Sequence, residues 1–255
     1  MRDRLRTARG VLRSLLIYYR GRARRAAMDR LHARFVQPGD LVFDVGSHVG
    51  DRVASFRRLG CRVVAVEPQP PLVRTLRLLY GRDPAVALEP VAVGARPGQV
   101  TLRINIDNPT VSTASDAFVR AADGARGWHG QRWERSIAVP LTTLDDLIAR
   151  HGTPTFVKID VEGFEAEALG GLTRPLAALS FEFTTIQRDV AAACIDRLAS
   201  LGRYRFSAAL GESQSLLHNP WLTARAIADW LHGLPEEANS GDIYAALEPP
   251  GEVRA

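Results

Sequence analysis

Cysteine is scarce and lysine nearly absent. The two cysteines among 255 residues, Cys61 and Cys194, stand far apart with neither disulfide nor metal-ligand spacing. A disulfide framework and a zinc site are therefore not expected, and a reduced, cytoplasmic setting is. There is no run of about eighteen apolar residues, so no membrane-spanning helix is expected. The N-terminus carries arginines but lacks the unbroken apolar segment and cleavage site of a secretory signal. Internal repeats and long low-complexity stretches are missing too. Lysine occurs once, at Lys158, in a chain whose Lys and Arg together number 33. Where arginine is otherwise used throughout, a retained ammonium points to a place that needs a compact point charge, or to a structural ion pair.

What charge there is lies unevenly. Residues 1–36 hold eleven arginines against Asp3 and Asp29, a net +9 within a chain total of +5, which leaves −4 for the remainder. A body without a basic face of its own argues against nucleic acid as a partner. Within the leader, residues 4–20 have helical periodicity. Leu5, Ala8, Val11, Leu12, Leu15, Leu16 and Tyr19 fall on one side, and Arg2, Arg6, Arg9, Arg13 and Arg20 on the other. Such a helix either packs on its own domain or a sister subunit, or lies on an anionic membrane or a protein partner through residues 1–25. Gly21 marks a break before a second helix near residues 26–35.

From Pro38 onward strands and helices alternate. Leu41–Val45, Arg62–Val66 and Val86–Val93 are expected strands, with helices over residues 50–59 and Pro70–Tyr80, the latter opened by prolines. This rhythm implies a parallel sheet covered on both faces. Strands are expected at residues 99–106 and 137–141, with a long irregular segment, 107–135, between them. Thr143 opens a helix that ends near Gly152. Strands at 156–160 and 179–184, helices at 164–169 and 190–201, and strands at 204–209 and 242–247 complete the pattern. The expected domain spans residues 37–250, after a leader of residues 1–36.

Two constellations carry chemistry. Asp44-Val45-Gly46-Ser47-His48-Val49-Gly50 sits at the C-terminal end of the first strand, the edge where open α/β sheets bind ligands. Gly46 permits a sharp turn and close backbone approach to a ligand. Glu67, closing the second strand, is placed to accept ribose hydroxyls. A dinucleotide fingerprint would need glycine where His48 stands, because its second glycine admits a pyrophosphate; an adenosyl ligand without phosphate has no such need. The second constellation is Lys158-Ile159-Asp160-Val161-Glu162-Gly163. Continued strand geometry would send Lys158, Asp160 and Glu162 to one side, where buried charges must be paired.

With these stretches in view, the chain resembles the FkbM-type family of S-adenosylmethionine (SAM)-dependent O-methyltransferases. The resemblance rests on Val42-Phe43-Asp44-Val45-Gly46 with Gly50, Val66-Glu67-Pro68, Thr143 to Leu147, Lys158 to Gly163 with Glu165, Gly170-Gly171, Phe181-Glu182 and Gly241 to Tyr244. It covers about residues 40–185, and departs at His48, where a small polar residue is more usual. It implies a class I methyltransferase: a Rossmann-like, seven-stranded, mostly parallel sheet with an antiparallel last strand. It also implies SAM held by Asp44, Gly46, Ser47, His48, Gly50, Glu67 and Pro68, with Val91 and Ala92 beside adenine. Asp160 and Glu162 are the lead catalytic candidates, Lys158 either holding one carboxylate ionised or orienting the acceptor. His48 is the alternative base.

A metal at Asp160, Glu162 and Glu182 is not expected, since no spacing fixes ligand geometry. The implied acceptor is a hydroxyl of a saccharide, glycolipid or polyketide-type small molecule. His129 and His218 are candidates to line its pocket, and Trp128, Trp133 and Trp221 either stack on a sugar or belong to the core. The competing readings are a nicotinamide-dependent enzyme and a non-catalytic module recruited through the arginine helix.

Overall fold

In a computed structural model that describes residues 2–248, the leader forms two helices, α1 (Arg2–Tyr19) and α2 (Arg22–His32). They part at Gly21, whose φ of +96° suits glycine. The second helix begins at Arg22 rather than residue 26, because a run of arginine and alanine is itself helix-forming. The orientation of α1 is unexpected. Gly10 and Ser14 are buried and Thr7 and Tyr18 partly so, whereas Leu5, Leu12 and Leu16 face outward. A Cβ on Gly10 would lie 2.9 Å from the Ile106 carbonyl oxygen, so the helix seats itself on its glycine. Arg6 anchors it further, its Nε donating to Asp107 at 2.9 Å and its Nη1 to Glu134 at 2.8 Å. The side chain of Arg2 lies outside the described residues.

The α2 helix contributes Met28, Leu31 and His32 to the interior. His32 stacks on Phe56 at 4.2 Å and shares a 2.9 Å hydrogen bond with Ser55. Residue 36 thus marks the start of strand and helix alternation without a break in packing.

The body follows as β1 (Leu41–Val45), α3 (Asp51–Arg58), β2 (Arg62–Val66), α4 (Pro70–Tyr80) and β3 (Val86–Glu89). Pro90 lacks an N–H for the ladder, and the expected strand over 86–93 divides there. Its remainder, β4 (Ala92–Val93), leaves the main sheet. It pairs parallel with β6 (Arg135–Thr142), which pairs antiparallel with β5 (Gly98–Ile104), making a separate three-stranded sheet. The segment between these last two strands is more ordered than expected, with a 3-10 turn at Pro109–Val111 and α5 (Asp116–Ala122), capped by Ser115.

Next come α6 (Leu144–His151), β7 (Phe156–Ile159), α7 (Glu165–Gly170), β8 (Ala178–Thr184), α8 (Arg188–Leu201), β9 (Arg205–Leu210), α9 (Ala224–His232) and β10 (Ser240–Ala246). Thr143 caps α6 in a reciprocal capping box with Asp146. The sequence reading missed α9, whose cap is Thr223. Residues 249 and 250 of the expected domain lie outside the described residues.

The seven-stranded sheet runs β3-β2-β1-β7-β8-β10-β9, and β10 is antiparallel to both its neighbours while the other pairs are parallel. This is the expected class I arrangement. Strand order reverses between β1 and β7, and such a switch point opens a crevice at the carboxyl ends of the strands. The described residues include no helix long and apolar enough to cross a membrane.

Candidate active site

The turn leaving β1 is built by backbone geometry. Gly46 has φ +86°, and a Cβ there would collide with the carbonyl oxygen of Asp160. Its glycine therefore serves the contact between two strand-exit loops as well as the turn. The amides of Gly46 and Ser47 donate to the Val66 carbonyl at 2.9 and 3.0 Å, which ties this turn to the end of β2. Glu67 completes the tie, accepting the amide of His48 at 2.9 Å on Oε2 and that of Gln69 at 2.8 Å on Oε1. His48 takes φ +49° to do so. Gly50, the N-cap of α3, packs toward Leu76 and Tyr80 and does not border the crevice.

Every other residue expected to hold the cofactor or act in catalysis lines one cleft of about 990 Å3, its open mouth included. Asp44, Gly46, Ser47, His48, Glu67 and Pro68 form one wall, Val91 and Ala92 another, and Lys158, Asp160 and Glu162 a third. Glu67 and Asp160 thus share a cavity. Tyr18, Asp51, Arg52, Gln69, Thr110, Glu182 and Glu212 also line it. Among these, sequence reading had considered only Glu182. Tyr18 and Glu212 come from segments at opposite ends of the chain, and no local pattern marks them. Arg24 and Arg52 both pair with Asp51 and Glu212, at 2.9–3.4 Å, fastening α2 to this rim.

At the exit of β7 a chain of charge crosses the sheet. Lys158 is almost fully buried, its Nζ donating to Asp160 at 3.0 Å and to Asp242 on β10 at 2.8 Å. Burial alone would lower its pKa, but these two carboxylates raise it well above the usual lysine value. Carboxylate oxygens of Asp160, Glu162 and Glu182 lie within 4.8 Å of one another. Burial would raise Asp160, yet Lys158 and Arg52 hold it below the ordinary aspartate range. Burial and the Asp160 charge push Glu162 and Glu182 well upward. The cluster therefore sets one carboxylate whose ionised form is favoured beside two whose protonated form is favoured.

Residues 44–206 match the model of the methyltransferase FkbM domain. The chain belongs to the FkbM methyltransferase family.

This FkbM methyltransferase uses SAM as its methyl donor. It is 27% identical over 197 residues to the hexuronic acid methyltransferase AglP of Haloferax volcanii, covering 76% of each chain. Among solved structures, a TehB-like SAM-dependent methyltransferase from Corynebacterium glutamicum aligns with a TM-score of 0.49 at 11% identity, over 93% of this chain and 94% of that one. An O-methyltransferase from Bacillus cereus in complex with SAH aligns at 0.42 and 11%, over 95% and 90%. The family assignment rests on the sequence match, and it decides against the nicotinamide and non-catalytic alternatives.

The FkbM methyltransferase cleft suits a ligand that donates hydrogen bonds. Asp44 Oδ2 is buried at its wall without a partner. Burial and neighbouring Asp51 push Asp44 up to about 7, while burial, against two accepted amides, pushes Glu67 up to about 8. Burial holds the His48 imidazole down to about 4, so it is neutral, with Nε2 3.3 Å from the Thr110 hydroxyl and its ring edge-on to Tyr18.

The remaining candidates lie elsewhere. His129 is exposed off the cleft, and His218 packs edge-on against Trp230. Trp128 and Trp133 both meet Phe118 at right angles in a small core, and Trp221 packs on Phe35. These tryptophans belong to packing.

Proposed function

We propose that this methyltransferase methylates an oxygen of a saccharide-type acceptor, with Asp160 taking the acceptor proton. The observation that carries the reading is the Asp160 carboxylate, held by the Lys158 ammonium at 3.0 Å and bordering the same cleft as Glu67. About a third of the Asp160 side chain is open to solvent, so an acceptor can reach it.

Asp44 would take the cofactor's ammonium on its unpartnered oxygen, and Glu67 has lone pairs left for ribose hydroxyls. Val91 and Ala92 offer an apolar wall for adenine. When bound, SAM supplies a methyl carbon on a sulfonium, open to in-line displacement by an oxygen nucleophile. The protein holds that oxygen in line and removes its proton. Glu162 and Glu182, in which burial and the Asp160 charge favour the protonated form, would donate hydrogen bonds to acceptor oxygens when protonated. Asp160 receives the hydroxyl proton, and Lys158, occupied by Asp160 and Asp242, holds the carboxylate in place. His48, neutral but weakly basic, shapes the cofactor loop through its backbone amide.

Support for an acidic sugar comes from a second cavity. It shares Gln69 with the first and is bordered by Arg74 and Arg135, neither of which has an acidic partner among the described residues. The relative AglP is named for hexuronic acid. Incubation with labelled SAM and a panel of neutral and acidic saccharides tests the acceptor class. Transfer to an acidic sugar is expected, and a panel without any labelled saccharide would remove this reading. Asp160→Asn should lower kcat by ~10²–10⁴-fold with SAM affinity nearly unchanged, by calorimetry. Unaltered kcat would dismiss Asp160 as the base.

A further inference from the structure

The orientation of α1 leaves its most apolar stripe without a partner. Leu5, Leu12 and Leu16 are 57%, 57% and 45% exposed. Beside that row run Arg9, Arg13 and Arg20, all exposed and without an acidic partner among the described residues. Leu12 and Leu16 border a shallow surface groove together with the three arginines. Neither set is used by the fold, because the helix is seated through Gly10 and Ser14 on its opposite face. Burying three leucines that remain in water would be favourable by ~1.5–3 kcal/mol each if fully achieved.

We propose that this outer face of α1 docks on an anionic lipid bilayer. The pairing of rows favours that occupant. Leucines can enter the acyl boundary while the neighbouring arginines reach lipid phosphates with their long stems extended. A second copy of the chain is disfavoured by charge, since face-to-face helices would oppose their arginine rows with no acid on either face. The helix, about 27 Å long, lies along the surface; it is not a span.

The docking places the chemistry near the lipid surface. The inner face of the same helix supplies Thr7 to the second cavity and Tyr18 to the first, roughly 16 Å apart along the axis. Both clefts therefore lie directly beneath the helix that touches the bilayer.

Co-sedimentation of the full chain with vesicles tests this. One set is phosphatidylcholine alone, and the other contains about a third phosphatidylglycerol. The protein should pellet with the anionic vesicles only, and less as salt is added. Replacing the three arginines together (R9Q, R13Q, R20Q) should weaken binding on the order of a hundredfold. Leu12→Gln with Leu16→Gln should weaken it at unchanged salt dependence. SAM affinity should stay unaltered in both variants, which verifies folding and keeps this outcome separate from that of the proposed reaction. Failure to bind anionic vesicles would overturn the proposal. So would binding that ignores the leucine changes, or a dimer in solution that either variant dissolves.

Discussion

Lys158 shows how one residue can serve structure and chemistry together. It joins β7 to β10 through Asp242 and sets the charge of Asp160 from a position sealed from water. Lys158→Met would leave both carboxylates short of their partner, a change expected to cost ~3–5 kcal/mol. Urea denaturation should show that loss, and adding Asp242→Leu should recover part of it by removing one stranded charge. A loss below about 1 kcal/mol would mean that the carboxylates find other partners. The motif around Lys158 was legible because three chargeable side chains, Lys158, Asp160 and Glu162, at a strand exit are conspicuous. Its partner Asp242, 84 residues away, was not. Glycine at 46 was legible as a turn residue, but its neighbour across the turn, the Asp160 carbonyl, could not be read from local spacing.

Among elements, the β1 exit turn and the β7 exit loop behave as one unit. The Val66 carbonyl and the Glu67 carboxylate bind three amides of the first turn, and Gly46 lies against the second. Gly46→Ala would place a side chain at φ +86° and against backbone. A loss of at least about 2 kcal/mol is expected from strain and collision, together with loss of SAM binding. Thermal melts and calorimetry measure both, and a variant that melts and binds normally would show that the loops can separate. Most elements had been visible from their periodicity and punctuation. Pro90 diverts β4 to a second sheet because it cannot donate to the first. By contrast α9 was legible in principle, with Thr223 as its cap and a clear amphipathic period over nine residues.

For the whole molecule, buried acids make stability depend on pH. Asp44 and Glu165 titrate near 7 and Glu67 near 8, each raised chiefly by burial. The unfolded chain releases these protons near pH 4, so above that the native state binds more protons and stability falls as pH rises. His32 and His48, lowered by burial, act oppositely, but only below about pH 6.5. The ligand-free protein should therefore melt at a lower temperature at pH 8 than at pH 6.5. SAM should raise the melting temperature more at pH 8, where Asp44 is ionised to receive the ammonium. Asp44→Asn should reduce both trends; a flat profile in the wild type would contradict the buried-acid account.

By itself the sequence determined the strand and helix rhythm, the turn at Gly46, the acid closing β2 and the charged exit of β7. These follow from periodicity and from the cost of charge inside a sheet, which are local properties. Tertiary structure alone decided which face of α1 is buried, that Tyr18 and Glu212 border the cleft, and that Asp160 is pushed down while Glu162 and Glu182 beside it are pushed up. Those outcomes depend on distances between segments remote in the chain, and on the desolvation and pairing that only their meeting creates.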